Sequence, residues 1–128
     1  MTLRATSLLI SDRAAARADV VEALEIGLAL KDRRAAWSLD VLSCIEALDG
    51  RAERAVLLAG AASALFEATA QRPPAVWGRF MEPLIDRSRA ALGDDPAEAV
   101  WREGRGLTFD QALQRALEGA QPLETAAG

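Results

Sequence analysis

The residues best suited to metal chemistry form a small acidic group. Asp94, Asp95 and Glu98 could supply the carboxylate oxygens that a hard cation prefers. The same residues also suit a helix start, with Asp95 as N-cap, Pro96 at the first helical position and Glu98 in the first turn. Capping explains the pattern without a ligand, so we assign no metal-binding residue.

Two other places carry residue types that chemistry could use. Glu103 and Arg105 flank Gly104 and could form an ion pair or act on a substrate. We expect instead that Gly104 ends a helix and that both charges are solvated or fix the turn. Cys44 lies in an apolar stretch with no His or Lys nearby, which predicts a buried, unreactive thiol.

The composition excludes several catalytic classes. The 128 residues include no His, no Tyr and one Cys. A His base, a Ser–His–Asp or Cys–His pair, a His-containing zinc site and an intrachain disulfide are therefore impossible within this sequence. An enzyme would have to rely on carboxylates and Arg alone, and no spacing places two such carboxylates over a pocket. We predict a non-enzymatic protein with no catalytic residue and no cofactor.

Charge and hydropathy limit the partners. The formal net charge is −4 and the basic residues are scattered, which argues against nucleic-acid binding by this segment alone. The Arg33–Arg34 pair, or Arg51 with Arg54, could bind an anionic ligand, but a solvated helix face is the expected role. No apolar stretch is long enough for a membrane span, and residues 1–10 do not resemble a signal peptide. We expect a cytoplasmic protein without membrane contact.

Ala and Leu dominate, and alternating apolar and polar runs are absent, which predicts an all-α fold of about six or seven helices. Pro83 should kink or split the fourth helix, and Gly93 should cap it. We expect one domain over residues 1–120 and a flexible tail over residues 121–128. The predicted helices cover residues 12–30, 35–48, 51–69, 75–92, a short stretch from 95 through 101 that stops at 104, and a last helix from a capping box at 108–111 to about 119.

Four large side chains follow helical spacing in the C-terminal half and are the candidate partner-binding residues. They are Trp77, Phe80, Met81 and Trp101. Large apolar residues at this spacing usually belong to the core, with Trp77, Phe80 and Met81 on one helix face. The alternative is a groove or exposed patch that docks a helix or a second copy, because Trp and Met are favoured at contact sites.

Three segments carry a family resemblance. They are D-G-R-A-E-R-A-V-L-L-A-G-A-A at residues 49–62, Q-R-P-P at 71–74 and W-R-E-G-R-G-L-T-F-D-Q-A at 101–112. Together they resemble the C-terminal tetratricopeptide-like repeat region of LuxR-type, MalT-like transcriptional regulators and related signalling ATPases. A faint internal repeat, Ala16 with Ala23 and Ala55 with Ala62, is consistent with stacked helix pairs. Glu46 departs from the pattern, because the family has an aromatic residue near there.

The resemblance implies an α-helical superhelix of stacked hairpins with extra C-terminal helices. In such proteins this region is a scaffold that senses inducers, binds partners or holds an upstream NTPase inactive. The chain has no phosphate-binding loop and no recognisable helix-turn-helix, so ATP hydrolysis and DNA binding do not carry over. We predict a protein-interaction or regulatory module that binds a protein partner or self-associates, for example as a homodimer. The alternative is a domain that senses a small-molecule inducer.

Overall fold

Helices account for nearly all of the computed structural model, which describes residues 12–119. They are α1 (Arg13–Leu30), α2 (Ala35–Leu48), α3 (Ala52–Thr69), α4 (Ala75–Leu92), α5 (Asp94–Arg105) and α6 (Phe109–Glu118). The predicted all-α class and the helix number are confirmed. None of these six helices has both the length and the apolar character that crossing a membrane requires. The predictions about a signal peptide at residues 1–10 and a tail at 121–128 lie outside the described range.

Local capping explains several helix ends. The Asp12 side chain accepts a 3.1 Å hydrogen bond from the Ala15 N–H and starts α1. Thr108 and Gln111 form the predicted reciprocal capping box at the start of α6. Helix α4 continues through the exposed Pro83, so the prediction that this residue could split the helix is wrong.

The start of α5 differs from the prediction. Gly93, at φ 90°, ends α4 through its N–H to the Arg89 carbonyl and is also the N-cap of α5. Asp94 and Asp95 therefore lie inside the first turn, where their negative charge favours the positive end of the helix dipole. The assignment of Asp95 as the N-cap is wrong. Within residues 12–119, no group of three or more potential metal ligands forms.

Helix α2 forms the centre of the molecule and is buried on nearly all sides. It packs against α1, α3, α4 and α6. Leu39, Leu42 and Ile45 have no exposed surface, and neither does Cys44. The prediction that Cys44 is buried is confirmed, and burial raises the pKa of its thiol to about 12, which disfavours the reactive thiolate. Helix α6 packs back onto α1, so the last helix described covers part of the first.

Two glycines bring α3 and α5 into backbone contact. A Cβ atom at Gly60 would lie 2.6 Å from the Trp101 carbonyl oxygen, and one at Gly104 would overlap the Leu57 carbonyl. Gly104 was expected to end a helix, but α5 continues to Arg105. The predicted helix end is therefore one residue early, and the reason a glycine is required at 104 is close packing between two helices.

A buried ionic group, which we call the Glu46 cluster, joins three helices. It consists of Glu46, Asp49, Arg17, Arg51 and Arg54. The Arg17 guanidinium donates to the carboxylates of Glu46 and Asp49 at 2.6 Å each. Arg51, at 3.2 Å, and Arg54 donate to the other Glu46 oxygen. The Glu46 side chain has no exposed surface. Arg51 and Arg54 are therefore partly buried structural residues, and their prediction as a solvated face is wrong.

The same two arginines also hold the end of α6. Arg54 donates to the carbonyl oxygens of Arg115 at 3.2 Å and Ala116 at 2.9 Å. Arg51 donates to the Gly119 carbonyl at 2.7 Å. Carbonyls in the last turn of a helix lack intrahelical partners, and positive charge there complements the helix dipole. The Glu46 cluster thus connects α6 to α1, α2 and α3.

The Gly104 contact predicts a large asymmetry between two glycine substitutions. Gly104→Ala should lower the free energy of unfolding by about 3 kcal/mol, because the new methyl group meets backbone that cannot move aside easily. The control is Gly78→Ala in α4, where the added Cβ meets nothing within 4 Å and should stabilise the chain by about 0.5–1 kcal/mol. Urea unfolding followed by circular dichroism measures both, and equal effects would contradict this account of α3–α5 packing.

Removing the buried carboxylate should also destabilise the fold. Glu46→Gln leaves Arg17 buried with less compensating charge, and we expect a loss of about 3–5 kcal/mol. Glu98→Gln is the control, because Glu98 forms surface ion pairs with Arg89 and Arg102 that contribute at most about 1 kcal/mol. Thermal and urea unfolding compare the two. A Glu46→Gln protein as stable as the control variant would show that the cluster is dispensable.

Candidate functional site: a cleft beside α4 and the outer stripe of α4

A cleft of about 870 Å³ lies between α3 and α4, with α2 behind it. This volume is within the range of small-molecule sites in proteins. The wall from α3 includes Phe66, and Asp40 of α2 contributes a carboxylate. The side chains of α4 and α5 that line the cleft are Trp77, Met81, Glu82, Ile85 and Trp101.

The structure divides the four candidate partner-binding residues between two surfaces. Trp77 and Met81 are each 6% exposed and belong to the core. They also line the cleft, together with the partly buried Trp101. Phe80 is 41% exposed and does not line the cleft, although its ring packs on Trp77 with 5.5 Å between centroids. The prediction that it lies on the buried face with Trp77 and Met81 is therefore wrong, because Phe80 lies at the edge of that face. The partner-binding role of the four residues stays a prediction.

Asp40 and Trp77 are coupled across the back of the cleft. The indole Nε1–H of Trp77 donates to Asp40 Oδ2 at 2.7 Å, and the Trp77 ring packs on Trp37 with 5.0 Å between centroids. Burial raises the pKa of Asp40 to about 6, an effect that the hydrogen bond from Trp77 partly opposes. None of the basic side chains within residues 12–119 forms an ion pair with Asp40, which leaves a neutral indole as its hydrogen-bond partner.

The other charged residues that line the cleft are exposed, unlike Asp40. Glu67 pairs with Arg105 at 2.6 Å. Glu82 and Arg72 are exposed and form no ion pair with other described residues. The Arg89 guanidinium lies 5.6 Å from the Trp101 ring centroid and forms a cation–π contact with it, but Arg89 does not line the cleft. Of the charged residues that line the cleft, Asp40 is therefore the partly buried one, and no residue between 12 and 119 forms an ion pair with it.

A second surface is the side of α4 turned away from the cleft, which we call the outer stripe. It consists of the exposed residues Val76, Arg79, Phe80, Pro83, Asp86, Arg87 and Ala90. Val76 and Phe80 are 66% and 41% exposed and lie one helical turn apart, as do Ile26 and Leu30 of α1, which are 52% and 70% exposed. The three charged members form no ion pair with any residue between 12 and 119.

Two important residues were missed in the sequence. Asp40 is a lone acid in the apolar run from 39 to 45, three residues after Trp37, and such a break in a helix predicted to be buried was the available signal. Glu46 was noticed only as a departure from the family pattern. Glu103 and Arg105 are exposed, as expected, and form surface ion pairs with Arg115 and Glu67, each at 2.6 Å.

The raised pKa of Asp40 predicts a specific dependence of stability on pH. Because the folded chain binds this proton more tightly than the unfolded chain, whose pKa is near 3.8, the associated stability is present at low pH and is lost as pH rises through about 6. Asp40→Asn keeps an acceptor for Trp77 and removes the titration. The stability of the wild type relative to this variant should fall by about 2 kcal/mol between pH 4 and pH 7. Urea unfolding of both proteins across this range measures it, and a constant difference would contradict the buried-carboxylate interpretation.

Comparisons with known proteins give a partial match. No profile of a known protein family matches the chain, and no solved structure matches it. Three curated relatives, one from Mycobacterium bovis and two from Mycobacterium tuberculosis, are each described as a "putative HTH-type transcriptional regulator". Each is 30% identical over 82 residues, which are 64% of this chain and 9% of the relative. The chain is thus similar to a short stretch of much longer proteins that carry this description.

Proposed function

We propose that this chain is a non-enzymatic regulatory module that acts through protein contacts, and that the partner at the outer stripe of α4 is a second copy of the chain. The description of the three mycobacterial relatives supports a regulatory role. The sequence segments that resemble the repeat region of LuxR-type, MalT-like regulators support a scaffold role within it. In such regulators, DNA reading and nucleotide hydrolysis belong to other regions.

The observation that carries this proposal is the pattern of the outer stripe. Pro83 lies at its middle, between two flanks of different chemistry. One flank carries Arg79 and Asp86, and the other carries Phe80 and Arg87. All these side chains are exposed. Each flank therefore holds two groups that attract one another but are separated by seven residues, about two helical turns.

Antiparallel pairing of two α4 helices makes this pattern self-complementary. A two-fold axis near Pro83 places each flank opposite the same flank of the second copy, in reversed order. Arg79 then faces Asp86 of the second copy, and the reciprocal pair forms on the other side of the axis. Phe80 faces Arg87 of the second copy, which allows a cation–π contact. Val76 faces the small Ala90 of the second copy, so a bulky side chain meets a small one.

A second candidate function is the sensing of a small molecule in the cleft between α3 and α4. The partly buried carboxylate of Asp40, in a cleft whose walls include several large apolar side chains, favours this candidate. Trp77 lies at the cleft, on the same helix as the outer stripe, so a ligand there could alter self-association by moving α4.

The self-association proposal is tested by charge reversal and charge exchange. The wild-type chain should form a dimer, measured by sedimentation equilibrium over a wide concentration range. Arg79→Asp should weaken the dimer at least tenfold, because it places two carboxylates opposite each other at both ends of the interface. The double variant Arg79→Asp with Asp86→Arg restores opposite charges across the axis and should recover most of the lost affinity.

The matched control is Glu25→Arg, an exposed charge change on α1 that should leave the dimer unaffected. A wild-type chain that is monomeric at every concentration would overturn self-association through this surface. A double variant as weak as the single one would show that α4 does not pair with α4 in this register. Circular dichroism melts confirm that each variant is folded.

A further inference from the structure

We propose that the cleft between α3 and α4 is a binding site for a small organic cation, an amine with an apolar body, and that Asp40 is its counter-ion. This inference rests on the second candidate function, sensing in the cleft. It does not depend on self-association, because Asp40 lies outside the outer stripe. The chemistry of the side chains that line the cleft determines the class of ligand.

The walls of the cleft fit an apolar ligand body. Phe66 of α3 faces Met81 and Ile85 of α4 across a volume of about 870 Å³. Met adapts its side chain to ligand shape better than branched residues do. The volume suits a molecule with an aromatic or alkyl group of moderate size, and not a peptide helix, which needs a longer groove.

The charge at the back of the cleft determines the polarity of the ligand head. Asp40 accepts one hydrogen bond, at 2.7 Å from the Trp77 indole, and Oδ1 has no hydrogen-bond partner among the described residues. Asp40 is partly buried, and a carboxylate withdrawn from much of the solvent, with a neutral group as its partner, is stabilised by a nearby cation. An ammonium group supplies both a positive charge and hydrogen-bond donors for the free oxygen. A ligand anion would meet Asp40 unfavourably.

Other charged or titratable groups leave this assignment intact. The thiol of Cys44, on the same helix, stays neutral at working pH, with a pKa of about 12. From α1, Arg13 pairs with Asp49 at 3.1 Å. From α3, Glu67 pairs with Arg105, and at the mouth Glu82 of α4 and Arg72 carry opposite charges. From α6, no charged residue lines the cleft.

The experiment uses 2-phenylethylamine as the probe and 2-phenylethanol as its neutral analogue. Binding to the 128-residue chain is measured by isothermal titration calorimetry and by tryptophan fluorescence, since Trp77 lies against the site. At pH 7 the amine should bind at least tenfold more tightly than the alcohol. Between pH 5 and pH 7 amine affinity should rise about tenfold as Asp40 ionises, while alcohol affinity should change little.

Two variants separate a direct contact from a general negative field. Asp40→Asn should reduce amine affinity at least tenfold and leave alcohol affinity within twofold. Glu82→Gln removes a carboxylate at the mouth and should change amine affinity less than threefold. The pH profile of the wild type tests Asp40 without any substitution, which keeps the proposal testable if Asp40→Asn folds poorly.

Three results would overturn the proposal. They are no amine binding at millimolar concentration, equal binding of amine and alcohol, or an equal loss in the Glu82→Gln and Asp40→Asn variants. Failure of this site leaves the dimer measurement unaffected, because that measurement uses the Arg79 and Asp86 variants without ligand. A monomeric chain that binds the amine would overturn self-association and retain the cleft.

Discussion

The buried carboxylate of Glu46 is the interaction on which the arrangement of the helices depends. It lies at the C-terminal end of α2 and receives guanidinium groups from α1 on one side and from α3 on the other. Two of these guanidiniums continue to the last carbonyls of α6. Apolar packing alone is non-directional and permits neighbouring helices to slide. A buried ionic group with several fixed hydrogen bonds defines the relative positions of four helices, provided every charge has a partner.

Helix α2 carries two carboxylates with opposite surroundings, the fully buried Glu46 and the partly buried Asp40. Glu46 is surrounded by three guanidiniums, and its charge is compensated by the protein itself. Asp40, less than two turns earlier, has a neutral indole as its partner, and burial raises its pKa. Glu46 organises the fold, whereas Asp40, at the wall of a cleft, has no positively charged partner among the described residues. A fold that tolerates such a residue maintains a destabilised position, and such positions concentrate where proteins bind ligands.

The helices were predictable from the sequence, because apolar spacing, Pro and local caps act over a few residues. Asp12, Thr108 and Gly93 mark helix ends through contacts with near neighbours. The errors concern residues whose partners are distant in the chain. Gly104 looks like a helix terminator until Leu57 is placed against it.

The same reason applies to the charged residues and to the candidate site. Arg51 and Arg54 look solvated until α6 returns to them, and the enclosed position of Asp40 depends on α4 lying across α2. Three of the four candidate large side chains line the cleft. Whether Trp77, Phe80 and Met81 face the core, the cleft or solvent depends on how α4 is rotated about its axis. Periodicity alone does not fix that rotation for a helix with apolar residues on more than one side.

The capping of α6 by Arg51 and Arg54 also bears on the order in which the helices fold. Helix α6 has ten residues, too few for a stable isolated helix, and its final carbonyls are satisfied by side chains 61 to 68 positions earlier. During synthesis α1, α2 and α3 emerge first and can assemble through contacts between sequence neighbours. Arg51, which precedes α3, and Arg54 within it are then in place before their acceptors at the end of α6 leave the ribosome. Helix α6 folds onto a preformed surface, and its docking completes the packing of the six described helices.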